Sequence, residues 1–130
     1  MAIPKIKKLK AFLETIFEYE KTSFIDLRII LCTDAFVLEL NNKFLSHNYY
    51  TDVLTFNLGS AKEIKAEVYI SLERVLENAT SYGTSKFTEL YRVMFHSILH
   101  LCGYEDKSLK AKVLMTAKED KYLELYARFT

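Results

Sequence analysis

Residues 85–101, SKFTELYRVMFHSILHL, limit what this chain can become more than any other stretch. At 100° per residue, Glu89, Arg92, His96 and His100 share one arc roughly 80° wide. Phe87, Leu90, Val93, Met94, Phe95, Ile98, Leu99 and Leu101 take up most of the remaining circumference. A helix apolar on most sides is buried on most sides. The domain is therefore expected to be built around this segment, with its polar stripe facing a site.

The elements that surround it follow from periodicity. Residues 4–20 carry Ile6, Leu9, Phe12, Leu13, Ile16 and Phe17 at helical spacing, starting at Pro4. FIDLRIIL (24–31) alternates and is β-branched, so it reads as a strand, as do DVLTFNL (52–58) and AEVYIS (66–71). Thr33 or Asp34 can cap a helix running to about Phe44. LERVLENATSYG (72–83) reads as a helix stopped by Gly83, and 108–128 as a last helix. With three Gly, one Pro and no repeat, nothing divides the 130 residues, and one domain over 1–130 is expected. The fold class is α+β, with a small mixed sheet packed against helices.

Composition excludes several classes. The formal charge is +1, so bulk charge signals neither nucleic acid nor an acidic substrate. Lys5, Lys7, Lys8 and Lys10 form the one basic cluster, read as the solvated face of a helix, against a phosphate-contacting patch. They lead into an amphipathic run, so no secretion signal is expected, and no stretch reaches the ~20 apolar residues of a membrane span. Cys32 and Cys102 lie in apolar runs without a CxxC, which predicts buried thiols in a reducing compartment, the cytoplasm.

The polar stripe continues into HSILHLCGYED (96–106). Histidines at i and i+4 have Cβ atoms ~5–6 Å apart on one face, and both imidazoles can reach one cation at ~2.0–2.1 Å. Cys102 is about 200° round the helix from His100 and points away. Gly103 ends the helix and lets the chain turn back, so that Glu105 or Asp106 can supply a third ligand; geometry alone leaves both open. Ser97 stands where an H-E-x-x-H zinc peptidase keeps its general base, which argues against peptidase chemistry.

This block closely resembles the metal-binding signature of the bacterial YbeY family, H-G-x-L-H-L-x-G-Y-D-H. His96, Leu99, His100, Leu101, Gly103 and Tyr104 match in register. TDVLTF (51–56), AEVYIS (66–71), Leu40-Asn41 and the Met115/Glu119 pair resemble further family blocks in the same order, so the likeness runs from about residue 24 to 125. The resemblance implies a metal-dependent single-strand endoribonuclease acting in ribosomal RNA maturation and ribosome quality control, with the small ribosomal subunit as a partner. Its register puts the third ligand on Asp106, giving one divalent metal, Zn²⁺, on His96, His100 and Asp106. That metal would activate water, or a 2′-hydroxyl, against a phosphodiester.

Three departures accompany the likeness. Asp106 replaces a third histidine, which lowers the charge of the metal site and should leave its water less acidic. Leu45 stands where the family carries an arginine important for activity. The chain starts almost directly at its first helix, where the family usually has a strand, so the resemblance implies a small mixed sheet of three or four strands around a zincin-like, metal-binding central helix. Two residues are candidates for the missing cation's work. His47 is a proton carrier or phosphate contact, against an ordinary loop histidine. Arg92 is an electrostatic substitute, against an i,i+3 pair with Glu89. The alternative to an enzyme is a ribosome-assembly factor with a mainly structural metal.

Overall fold

A computed structural model describes all 130 residues. In chain order the elements are α1 (Ile6–Tyr19), β1 (Phe24–Cys32), α2 (Asp34–Leu45), β2 (Val53–Asn57), β3 (Ile64–Ser71), α3 (Leu72–Tyr82), α4 (Lys86–Leu101) and α5 (Leu109–Arg128). The expected α+β architecture is present. Its sheet has three strands in the order β1-β3-β2, with β1 parallel and β2 antiparallel to the central β3.

Local chemistry explains most element ends. Thr33 caps α2 by accepting from the Phe36 amide at 3.1 Å. Ser71, Ser85 and Ser108 cap α3, α4 and α5 in the same way. Gly83 stops α3 in the left-handed region (φ 66°). The first helix begins two residues later than Pro4 suggests, because Lys5 adopts a left-handed conformation and no side chain caps it.

Helix α4 occupies the centre. It packs against β2 and β3 and against α1, α3 and α5. Leu90, Phe95, Ile98 and Leu99 have no exposed surface, and burying each such side chain contributes about 1.5–3 kcal/mol. Phe12 of α1 meets the rings of Phe95, Tyr122, Tyr126 and Phe129 at centroid distances of 4.9–6.4 Å, which closes the helical layer. In the basic cluster, Lys5, Lys7 and Lys10 are exposed, while Lys8 is half-buried and lies over the Tyr126 ring. Cys32 and Cys102 differ from the sequence reading: each is half-buried at the rim of the core rather than enclosed, and burial raises both thiol pKa values. No helix is long and apolar enough to cross a membrane.

One buried carboxylate holds distant parts together. Glu20, just after α1, accepts hydrogen bonds from the hydroxyls of Tyr104 (2.6 Å) and Tyr122 and from Lys118 Nζ (3.3 Å). Burial pushes its pKa up, but these three donors outweigh that and hold it below the ordinary glutamate range. A depressed carboxylate contributes stability that is complete above its unfolded pKa and is lost as pH falls through the folded one. Glu20→Gln should therefore lower Tm at neutral pH and flatten its fall on acidification below about pH 4.5, as followed by thermal melts across that range. Parallel acid limbs for the two proteins would count against this role.

Candidate metal centre

The stripe on α4 becomes a site because the chain folds back over it. The amides of Cys102, Gly103 and Tyr104 return to the carbonyls of Ile98, His100 and Leu99, and Gly103 takes φ 102°. Only glycine adopts that angle without strain. The turn delivers Asp106 to the histidines: its Oδ2 lies 3.3 Å from His96 Nε2 and 3.4 Å from His100 Nε2. All three donor atoms fall within 4.8 Å of one another. Donors bound tetrahedrally at ~2.0–2.1 Å sit about 3.4 Å apart, so the residues present fit a single cation. Glu105, the other carboxylate left open by sequence geometry, is exposed and takes no part in the cluster.

Both imidazoles are aimed by their other nitrogen. His96 Nδ1 donates to Glu119 Oε2 at 2.6 Å, and His100 Nδ1 donates to the Tyr104 carbonyl at 2.8 Å. Neither partner can donate in return, so both rings present Nε2 lone pairs to the cluster. Glu119 on α5 is 6 % exposed and is itself held by Arg92 Nη1 at 2.9 Å. The Arg92 guanidinium also reaches Asp120 at 2.6 Å. The i,i+3 pair of Arg92 with Glu89 does not form; α5 supplies closer carboxylates. Tyr104 is fixed in turn through its hydroxyl by Glu20.

The electrostatics favour a positive charge at this point. Asp52, Glu89, Asp106 and Glu119 line a recess beside His96, with Arg92 as its one strong base. Burial favours neutral His96, but Glu119, Asp106 and Asp52 outweigh it and raise the imidazole pKa. Burial raises the pKa of Asp52, with His96 and Arg74 opposing, and that of Glu89, with Asp52 adding to it. Ser97, at the peptidase glutamate position, is fully buried and donates to the Val93 carbonyl at 3.0 Å, so it cannot serve as a base.

An open groove of about 640 Å³ runs from the cluster along β2 to the loop after α2. Leu45, His47, His96, His100 and Asp106 all line it. His47 is exposed, with Nδ1 3.0 Å from the Tyr49 hydroxyl. The sequence motifs included Glu119 and Asn41 but assigned them no work. Their burial at 6 % and 1 % marks both as structural parts of this region.

Second-sphere carboxylates of this type typically carry 10- to 100-fold in metal affinity. Glu119→Gln should weaken Zn²⁺ or Co²⁺ binding by about that factor. Competitive titration against a chromophoric chelator would measure it, and unchanged affinity would remove Glu119 from the centre.

Comparison with known proteins agrees with this geometry. The family model described as "Endoribonuclease YbeY" matches residues 3–127. A curated protein of that name from Cytophaga hutchinsonii is 42% identical over 119 residues, covering 91% of this chain and 83% of its own length. Another, from Amoebophilus asiaticus, is 38% identical over 122 residues, covering 93% and 83%. The solution structure of a Thermotoga maritima protein superposes with a TM-score of 0.64 at 31% identity, covering 96% of this chain and 85% of its own. Matches of this length place both histidines, the returning loop and the supporting α5 inside the aligned region, and the chain belongs to the YbeY endoribonuclease family.

Proposed function

We propose that this protein is a metal-dependent endoribonuclease that cleaves single-stranded RNA in ribosomal RNA maturation and ribosome quality control, with the cytoplasm as its compartment and the small ribosomal subunit as a partner. The observation that carries this is the placement of His96, His100 and Asp106 along an open groove rather than in a closed core. A structural zinc is normally enclosed by four protein ligands, whereas a catalytic one keeps a position open. Three donors beside a groove match the second pattern.

The bound cation would be Zn²⁺, held by His96, His100 and Asp106; when bound it supplies Lewis acidity, acidifying water and polarising a phosphoryl oxygen. The chain's own residues do the rest. Glu119 and the Tyr104 carbonyl keep the two imidazoles in the ligating tautomer. Arg92 gives its guanidinium to Glu119 and Asp120, so we read it as holding Glu119 against His96 rather than as a phosphate contact. His47, which lines the groove, is the candidate to carry a proton or touch phosphate.

The assembly-factor reading has one observation in its favour: Leu45 lines the groove and brings no cation. Incubating protein purified without a metal-affinity tag with a defined single-stranded RNA, before and after chelation and Zn²⁺ return, separates the two. Metal-dependent cleavage supports the nuclease. An inert protein that binds the small ribosomal subunit supports the assembly factor.

A further inference from the structure

The loop between α2 and β2 carries exposed aromatic side chains that the metal centre does not use. Tyr49 is 56% exposed, yet it is firmly placed. Its ring stacks on His47 with centroids 5.1 Å apart and planes 21° from parallel, and its hydroxyl meets His47 Nδ1 at 3.0 Å. Beneath the pair lies Asn41, only 1% exposed. Its side-chain amide donates to the Tyr49 carbonyl at 3.0 Å, and its own carbonyl accepts from the His47 amide at 3.1 Å. A buried asparagine thus clamps the loop at both aromatic residues. Exposed aromatic surface held in place by buried polar chemistry has lost its ordering entropy before any ligand arrives.

Both rings line the groove that holds His96, His100 and Asp106. That groove is poor in cations: Lys107 is the only lysine or arginine on it, and Asp52 and Asp106 oppose it. Away from the metal position, attraction of phosphates by side-chain cations, the usual source of nucleic-acid affinity, is therefore weak here. Stacking on an aromatic face needs no charge and is tolerant of base identity.

We propose that Tyr49, backed by His47, is a stacking platform for one unpaired nucleobase of the RNA whose backbone lies at the metal centre. This rests on the nuclease reading for the identity of the strand. The hydrogen bond between the Tyr49 hydroxyl and His47 Nδ1 ties the two rings together as one surface. A base on the open face of Tyr49 sets where the strand enters the groove. A base inside a duplex has both faces covered by its stacked neighbours, so the platform selects single strands whose bases can be splayed out.

The test uses two fluorescein-labelled, non-cleavable probes: a short 2′-O-methyl oligoadenosine and its abasic counterpart of equal length. Wild type should bind the base-bearing probe more tightly. Tyr49→Ala should weaken that binding about tenfold, within the range for loss of one base–aromatic stack, and leave the abasic probe unchanged. Tyr49→Phe should retain the preference. Zn²⁺ titration of each variant checks that the centre is intact. Equal weakening of both probes by Tyr49→Ala, or no weakening of either, overturns the platform. Cleavage of unmodified RNA is followed separately. A wild type that binds bases through Tyr49 and cleaves nothing overturns the nuclease reading alone. A wild type that cleaves while Tyr49→Ala leaves probe binding unchanged overturns the platform alone.

Discussion

Asp106→Ala and His100→Ala should each abolish metal-dependent RNA cleavage, whereas Glu105→Ala should leave it intact. The two acidic residues are adjacent, but only Asp106 has an oxygen 3.3 and 3.4 Å from the histidine nitrogens. Removing any one of the three donor side chains leaves only two, which hold Zn²⁺ too weakly to stay loaded at low metal concentration. Metal analysis after dialysis, run beside an RNA cleavage assay, reads both effects. Loss of binding in Glu105→Ala with Asp106→Ala unaffected would show that the loop after Gly103 runs otherwise. The same measurement on Ser97→Ala serves as a control, because the Ser97 hydroxyl faces the Val93 carbonyl inside the core.

Leu45→Arg should raise cleavage by up to about a hundredfold. Leu45 is the last residue of α2, is 42% exposed and lines the groove with both histidines. A cation there would lie along the path of a phosphate and stabilise the charge that builds as the phosphodiester reacts. One such contact carries ~3 kcal/mol, by analogy with deletion of an oxyanion-hole donor. The wild type, with Leu45 and an aspartate ligand, should accordingly be a slow nuclease with intact metal binding. Single-turnover rates for the two proteins at saturating Zn²⁺ make the comparison. Rapid wild-type cleavage that Leu45→Arg does not change would overturn it and direct attention to His47 as the replacement.

The central helix was legible because its signal is local: apolar residues on most faces, a narrow polar stripe and a glycine stop. Thr33, Gly83 and Gly103 were legible for the same reason, since caps and left-handed stops depend on neighbours in sequence. Asp106 was half legible. Spacing allowed either acidic residue, and only the register of the family motif chose between them. Glu119 could be matched to a motif but not given its work, because it reaches His96 from another helix 23 residues away. Arg92 shows the limit most clearly. Helical spacing offered Glu89 as its partner, and packing of α5 brought Glu119 and Asp120 instead. The stacked His47–Tyr49 pair was hidden too, since its placement depends on the Asn41 side chain turning into the loop.

The supports of the centre come from the first and last helical regions: Glu20 steadies Tyr104, and Glu119 steadies His96. During synthesis the candidate ligands His96 and His100 on α4 leave the ribosome before α5 does. At that stage His96 has no acceptor for its Nδ1 proton, and Tyr122 and Lys118 have not yet joined Glu20. Contacts between residues 20 and 122 close only after nearly all the chain between them is available. A growing chain therefore carries His96 and His100 without an aimed pair of imidazoles. Both imidazoles are aimed only once α5 has packed against α4 and brought Glu119 to His96.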